Sequence, residues 1–288
     1  FLTGSLGEFL DRRFASDKLK RLILSNSLYG KHGGPYQPGT AMGLLFHLLS
    51  GGDADQQAWQ GHVIGGMGAI SEALRGACED LGVEVRTGEP VQQINVVNGR
   101  ATGVTLASGD EIEARLVVSN ADPKRTIMEL VGTRHVETGF TRRINNIRMR
   151  GNAAKLHLAL DGLPTIKGIA KTEFGDRLVI APDEHYVERA FNPEKYGESS
   201  PAPVIEMTFP SFRDPALAPT GKHVVSCVVQ YAPYALEGGW TDAAKQAFAK
   251  TCIDTIGHYA PDLEQRITAS ELLTPADIER EFHITGGH

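Results

Sequence analysis

The chain has 288 residues, of which 41% are apolar, and a formal net charge of −6. This charge argues against a general nucleic-acid binder, because phosphate binding needs basic surface. Three cysteines without CxxC spacing indicate neither a disulfide framework nor a zinc site, and favour a reducing, cytoplasmic compartment. No apolar run approaches the roughly 20 residues that cross a bilayer, so the sequence predicts a soluble or peripherally membrane-associated protein.

Helical patterns dominate the first 60 residues. An amphipathic stripe runs from Leu6 to Ile23, with a break and a new cap at Ser16-Asp17. The apolar segment from Thr40 to Leu49 predicts a second, short helix. Core packing is favoured for this helix, and the sequence leaves open that it lines a lipophilic cavity or touches a membrane surface.

A glycine turn and a helix follow. Gly65-Gly66-Met67-Gly68 predicts the turn, and apolar spacing predicts a helix from Ala69 to Leu81 that ends at Gly82. This order imitates a dinucleotide-binding fold, but the spacing G-x-G-x-x-G requires glycine where Ser71 stands. Plain helix entry and a phosphate cradle therefore both remain open.

The apolar period then changes to two, which predicts short strands. The strands begin at Val83, Val91, Ala101 and Ile112. Asn98-Gly99 and Ser108-Gly109-Asp110 predict tight turns between them. The continuous run Leu116-Val117-Val118 predicts a return strand buried on both faces and ending at Ser119.

The segment from Ser119 to Pro123 precedes a predicted helix over Lys124 to Val131. Asn120 or Asp122 can cap this helix by accepting an N-terminal N–H. Capping and a place near a cofactor are compatible, so both interpretations stay open.

The remainder predicts a mixed sheet with helices. Alternation from Ala153 to Leu160 predicts a strand with Lys155 and His157 on one face. Thr241 caps the predicted helix that runs to Tyr259, and Pro275, after Thr274, opens a last short helix. Further strands are predicted at Leu178–Ala181, Val204–Phe209 and His223–Tyr231.

Three segments together carry a family resemblance. GGMGAISEAL, GVEVRTGEPVQQINVVNGRATGVTL and LVVSNADPKRTIMELVG resemble the middle third of the phytoene desaturase / pyridine nucleotide-disulphide oxidoreductase domain-containing protein 2 family, and more distantly the monoamine oxidase group. The resemblance implies an α+β / α/β fold of the FAD-dependent oxidoreductase type. Its glutathione-reductase-type FAD domain would be incomplete here, and its substrate domain would have a mixed sheet.

The resemblance also implies a domain layout. Residues 1–60 would be the helical part of the substrate domain, 61–132 the middle segment of the FAD-binding domain, 133–280 the substrate domain, and 281–288 the start of the return to the FAD domain. The sequence starts at Phe1 and lacks the family's N-terminal GxGxxG unit. A fragment is therefore expected, with FAD bound in the parent protein and absent from the fragment alone.

Nine residues are implied as cofactor contacts. The backbone of Val91 would pair with the adenine edge, although Val91 can equally be a core strand residue. Turns and strand ends supply the other eight, which are Gly65, Gly66, Met67, Ser119, Asn120, Ala121, Gly286 and Gly287. No metal ligands and no catalytic residues are assigned.

Two functions remain open. One is an FAD-dependent oxidoreductase that removes hydride from a lipophilic or bulky substrate, which fits the absence of HExxH, G-x-S-x-G and P-loop motifs because a flavin carries the redox chemistry itself. The other is a non-catalytic binding or interaction module that retains the substrate-domain fold without the cofactor.

Overall fold

The computed structural model describes residues 3–28, 31–50, 62–183 and 185–288, so the predicted boundary between residues 60 and 61 lies outside it. The α-helices in these ranges are α1 Leu6–Asp11, α2 Asp17–Ser27, α3 Ala41–Ser50, α4 Gly68–Asp80, α5 Thr138–Asn145, α6 Tyr186–Phe191, α7 Pro210–Arg213, α8 Asp242–Gly257, α9 Leu263–Arg266 and α10 Pro275–Phe282. The strands are β1 Val91–Val97, β2 Arg100–Leu106, β3 Glu111–Glu113, β4 Ala153–Leu160, β5 Leu178–Ile180, β6 Val204–Thr208, β7 His223–Gln230 and β8 Ile267–Leu273. A π-helix spans Arg125–Gly132.

The chain divides into two compact units. The larger unit comprises Phe1–Ala69, Arg150–Glu281 and Gly286–His288, and the smaller unit comprises Ile70–Met149 and Phe282–Thr285. A five-stranded sheet in the order β5-β6-β7-β4-β8 belongs to the larger unit, and a three-stranded sheet in the order β1-β2-β3 belongs to the smaller. The assignment of substrate and FAD domains to this chain stays a prediction.

The main core of the larger unit lies on one face of its sheet. Every second residue of β4 is buried, which confirms the predicted alternation. Leu156 and Leu158 share this core with Phe248 and Cys252 of α8. The chain reverses direction between neighbouring strands in every described pair of this sheet. The sheet is therefore antiparallel, where the sequence predicted a mixed sheet.

A second core of the larger unit forms where helices pack near the start of strand β6. Leu6 and Leu10 of α1 and Leu24 of α2 are buried there with Val204 and Tyr231. The predicted amphipathic stripe is therefore core on one side, whereas Leu22 on the same helix is 58% exposed. Helix α3 occupies the segment in which the second helix was predicted.

Two predicted helix starts in the larger unit are confirmed by their caps. The hydroxyl of Thr241 accepts a hydrogen bond of 3.2 Å from the Ala244 N–H at the start of α8. At the start of α10, the Thr274 hydroxyl accepts from the Asp277 N–H at 3.2 Å. The hydroxyl caps satisfy N–H groups that have no partner inside the helix.

The smaller unit contains the predicted helix, turn and meander. Helix α4 ends just before Gly82, whose φ of 75° suits the position after a helix. Strands β1 and β2 pair antiparallel around Asn98 and Gly99, with φ of 49° and 75°. Positive φ at both positions is the geometry of a tight hairpin turn, so this prediction is confirmed.

Two predicted strands of the smaller unit do not form. Val83 and Val85 are 50% and 42% exposed, and Leu116 and Val118 are 77% and 84% exposed, and all four lie outside the described strands. The predictions of a strand at Val83 and of a buried return strand at Leu116 were therefore wrong for this structure. An apolar run becomes a strand only when a neighbouring strand satisfies its backbone groups, and the described strands do not pair with either segment.

Candidate functional site

The sheet of the larger unit has a polar face opposite its core. Lys155 and His157 of β4 project on the face that alternates with the buried leucines, as the sequence predicted. In the register, Lys155 stands opposite Val228, and Val228 stands opposite Glu206 of β6. Lys155 and Glu206 therefore share one row across the sheet, and Lys155 Nζ donates a hydrogen bond of 3.2 Å to Ser226 Oγ.

Burial shifts the protonation of three groups on this polar face. It lowers the pKa of Lys155, while the charge of Glu206 partly opposes that shift. It also lowers the pKa of His157, which the neighbouring Lys155 charge lowers further. Burial raises the pKa of Glu206, against the opposing charges of Arg177 and Lys155. Several titratable groups shifted in one half-buried place are typical of a functional site.

Exposure increases across the polar face from β6 toward β8. Val204 belongs to the helical second core and is only 3% exposed. The Glu206 side chain is 15% exposed and lies 3.5 Å from Arg177 Nη1. Lys155 and His157 are half-buried, and Glu271 of β8 is exposed. The polar face is thus a wall that is covered at β6 and open toward β8, as a binding surface requires.

The predicted Gly65-Gly66-Met67 turn lies in the larger unit. Gly65 and Gly66 have φ of 84° and 80°, a conformation that favours glycine. The Gly65 N–H donates a hydrogen bond of 2.6 Å to the buried carboxylate of Asp214. Met67 is 73% exposed. The turn is fixed at one end and open to a ligand at the other, and its cofactor contact stays a prediction.

Gly286 and Gly287 also lie in the larger unit, where they pack closely against backbone. The Gly286 N–H donates to Glu279 Oε1 at 2.7 Å, and the Gly286 carbonyl accepts from the Gly151 N–H at 2.8 Å. A methyl group on Gly287 would lie 2.0 Å from the Pro275 carbonyl oxygen. Their observed role is close packing, and contact with a cofactor stays a prediction for both.

The remaining predicted contacts lie in the smaller unit. Val91 begins β1 opposite Leu106 and is 36% exposed. Ser119, Asn120 and Ala121 are exposed, and the Ser119 hydroxyl lies 2.8 Å from the Thr126 hydroxyl. The exposure of the Ser119–Ala121 segment suits the predicted cofactor contacts.

Asp122 follows the exposed segment Ser119–Ala121 in the chain and accepts hydrogen bonds from two other parts of the smaller unit. Its Oδ1 accepts hydrogen bonds from the Lys124 and Arg125 N–H groups at 2.9 and 3.0 Å, which confirms the predicted cap. Its Oδ2 accepts from the N–H and the hydroxyl of Thr285 at 3.1 and 2.7 Å. Burial by itself would raise the pKa of Asp122, but these hydrogen bonds outweigh it and lower the pKa.

Sequence reasoning assigned no role to Glu206, Ser226 or Thr285. A glutamate inside the apolar strand VIEMT was a signal for the first, because strand residues that alternate with core positions face the other side of the sheet. No local signal marks Thr285, because Asp122 is 163 residues away in the chain.

Two further features were searched for in the described residues. They contain no group of three or more histidine, cysteine, aspartate or glutamate side chains that could hold a metal ion. They also contain no helix that is both long enough and apolar enough to cross a bilayer.

The helices and antiparallel sheets of this chain have the fold of the FAD-dependent amine-oxidase-like oxidoreductases. The crystal structure of an oxidoreductase from Methanosarcina mazei shares this fold with a TM-score of 0.64 at 17% identity, over 94% of this chain and 56% of that one. The chain belongs to the family of flavin containing amine oxidoreductases, whose model matches residues 2–262.

Curated relatives extend the comparison. Pyridine nucleotide-disulfide oxidoreductase domain-containing protein 2 of Mus musculus is 35% identical over 303 residues, which cover 100% of this chain and 51% of the relative. Phytoene desaturase (neurosporene-forming) of Cereibacter sphaeroides is 29% identical over 217 residues, with 74% of this chain and 40% of the relative covered. The chain therefore spans about half the length of the first relative and 40% of the length of the second.

The residues present fit FAD in part. In the larger unit, the positive φ of Gly65 and Gly66 allows close approach of a ligand to the backbone. In the smaller unit, the Ser119–Ala121 segment is exposed. The sequence contains no G-x-G-x-x-G turn that would direct a helix N-terminus at the diphosphate. Contact of these residues with the cofactor stays a prediction.

Proposed function

We propose that this chain forms part of an FAD-dependent oxidoreductase that removes hydride from a lipophilic or bulky organic substrate. The observation that carries the proposal is the polar face of the larger unit, where burial shifts the pKa values of Lys155, His157 and Glu206 together. Membership of a flavin-containing family supports the choice of cofactor, and the name of the phytoene desaturase relative supports a lipophilic substrate.

The chain's residues have distinct roles in this proposal. Flavin, when bound, would supply the hydride acceptor, and the polar face would form one wall of the substrate site. Burial lowers the pKa of the Lys155 amine, so Nζ releases its proton more readily than a solvated lysine does. Ser226 Oγ accepts a hydrogen bond from that Nζ and fixes its direction. Glu206 balances the lysine charge from the same row of the sheet.

The 288-residue chain alone is expected to purify colourless, and the natural full-length protein yellow. The sequence contains no G-x-G-x-x-G turn to direct a helix N-terminus at a diphosphate, and each charge-assisted hydrogen bond lost removes roughly 1.5–3 kcal/mol. Two or three such losses weaken FAD binding by about two to six orders of magnitude. The visible absorption of both proteins measures this, and stoichiometric flavin in the 288-residue chain would contradict it.

Replacement of Lys155 by methionine in the flavin-loaded full-length protein is expected to slow substrate-driven flavin reduction at least about tenfold, because a general acid or base contributes about 10²–10⁴-fold. Anaerobic stopped-flow absorbance with a long-chain polyene in detergent, and in parallel with a bulky amine, measures the rate. The matched control is Lys222→Met, an exposed lysine paired with Asp161 in the same unit.

Two outcomes would contradict different parts of the proposal. Equal rates for Lys155→Met and wild type would remove Lys155 from the site. A full-length protein that takes up neither FAD nor electrons, yet binds the polyene, would instead be the non-catalytic binding module.

A further inference from the structure

The Asp122 carboxylate joins two parts of the chain that are distant in sequence. It receives four hydrogen bonds, two at each oxygen, from Lys124, Arg125 and Thr285. The two from Thr285 come from one residue's N–H and hydroxyl, at 3.1 and 2.7 Å. Two hydrogen bonds from one residue fix the direction of the Thr285 backbone as well as its distance from Asp122.

One end of this connection adjoins a predicted cofactor segment. Ser119, Asn120 and Ala121 immediately precede Asp122 in the chain. The exposed turn also makes contacts of its own, because the Thr126 hydroxyl donates to the Ala121 carbonyl at 3.1 Å. The contact with Thr285 is made by the Asp122 side chain.

One non-glycine residue close to Thr285 has a left-handed backbone conformation. His283 has φ of 57° and Gly286 has φ of 67°. A non-glycine residue in the left-handed region is disfavoured and persists where surrounding contacts hold it. The paired hydrogen bonds of Thr285 to Asp122, two residues after His283, are such contacts.

We propose that Asp122 is a positioning residue that holds the Ser119–Ala121 segment against the Thr285 backbone of the same unit, so that the Ser119–Ala121 segment keeps one geometry for a bound cofactor. The inference rests on the proposed function, because the ligand it serves is FAD. Asp122 itself need not touch the cofactor, since both of its oxygens are occupied by protein donors.

Asp122→Asn separates the two ends of the connection. Its remaining carbonyl oxygen can still cap Lys124 and Arg125, but its amide group cannot accept from Thr285. Thr285→Val removes only the hydroxyl bond. Asp110→Asn is the matched control, because Asp110 is exposed in the same unit and its carboxylate accepts from Ser108 Oγ at 2.9 Å.

Two measurements follow. In the 288-residue chain, amide hydrogen exchange at Thr285 is expected to accelerate about tenfold or more in Asp122→Asn, less in Thr285→Val, and not in Asp110→Asn, because a hydrogen bond to a charged group is lost. In the full-length protein, the FAD dissociation constant is expected to rise about tenfold to a hundredfold in Asp122→Asn and to stay unchanged in Asp110→Asn.

Each outcome is decisive. Unchanged exchange at Thr285 overturns the connection itself. Faster exchange with an unchanged FAD dissociation constant overturns the positioning role and leaves Asp122 as a structural cap. A wild-type full-length protein that takes up no FAD overturns the proposed function and the cofactor role of Asp122 with it, whereas FAD uptake by wild type with no effect of Asp122→Asn overturns this inference alone.

Discussion

Replacement of Asp277 by asparagine is expected to lower the free energy of unfolding of the chain by about 3 kcal/mol, because it breaks a buried ion pair and leaves the lysine without its charge partner. The Asp277 side chain is 2% exposed and lies 2.5 Å from Lys245 Nζ on α8. Its other oxygen accepts from the N–H and hydroxyl of Thr274, which caps α10. One carboxylate thus both starts α10 and ties it to α8.

Chemical denaturation of the two proteins measures this loss, with Asp161→Asn as the matched control. Asp161 also pairs with a lysine, Lys222, at 2.6 Å, but its side chain is 63% exposed. Exposed pairs contribute little because water already solvates both charges. Equal losses in the two variants would show that burial does not strengthen the Asp277 pair.

The stabilisation by Asp277 has a defined pH dependence. Burial by itself would raise the pKa of Asp277, but hydrogen bonds from Lys245, Thr274 and Arg280 outweigh it and hold the pKa well below its usual range. The stabilisation is therefore complete above the unfolded-state pKa of about 3.9 and is lost as the pH falls through the folded value. The difference between wild type and Asp277→Asn is expected to be constant above about pH 5 and to shrink below about pH 4.

Local patterns in the sequence predicted the elements whose stability is local. The alternation in β4, the Thr241 cap of α8 and the Asn98-Gly99 turn each depend on residues a few positions apart, and all three are confirmed. Strand β8 was not predicted, because most of its residues are exposed and no alternation marks it. It is an edge strand, held by its pairing with β4.

Elements that depend on distant partners could not be predicted. Leu116 to Val118 has the composition of a buried strand, but composition supplies no ladder partner. The sequence placed Lys155 and His157 on one face, yet the row that brings Glu206 to Lys155 depends on the registers of two strand pairs. Register between distant strands is set by tertiary packing, so the charge pattern of the polar face emerges only in the fold.

Replacement of Gly287 by alanine is expected to lower the free energy of unfolding by about 3 kcal/mol, from two separate causes. Its φ of 60° disfavours any residue with a Cβ atom, by roughly 1–2 kcal/mol. The added methyl group would also lie 2.0 Å from the carbonyl oxygen of Pro275, at the start of α10, and overpacking costs about 1–3 kcal/mol.

Gly239→Ala isolates the first cause. Gly239 has φ of 77° and open space around its Cβ position, so its replacement strains the backbone without a clash. Denaturation of both variants is expected to show a larger loss for Gly287→Ala, and the excess measures the contact with Pro275. Equal losses would mean that the segment can move away from Pro275 at no cost. In that case the positive φ, and not close packing, would explain why glycine stands at position 287.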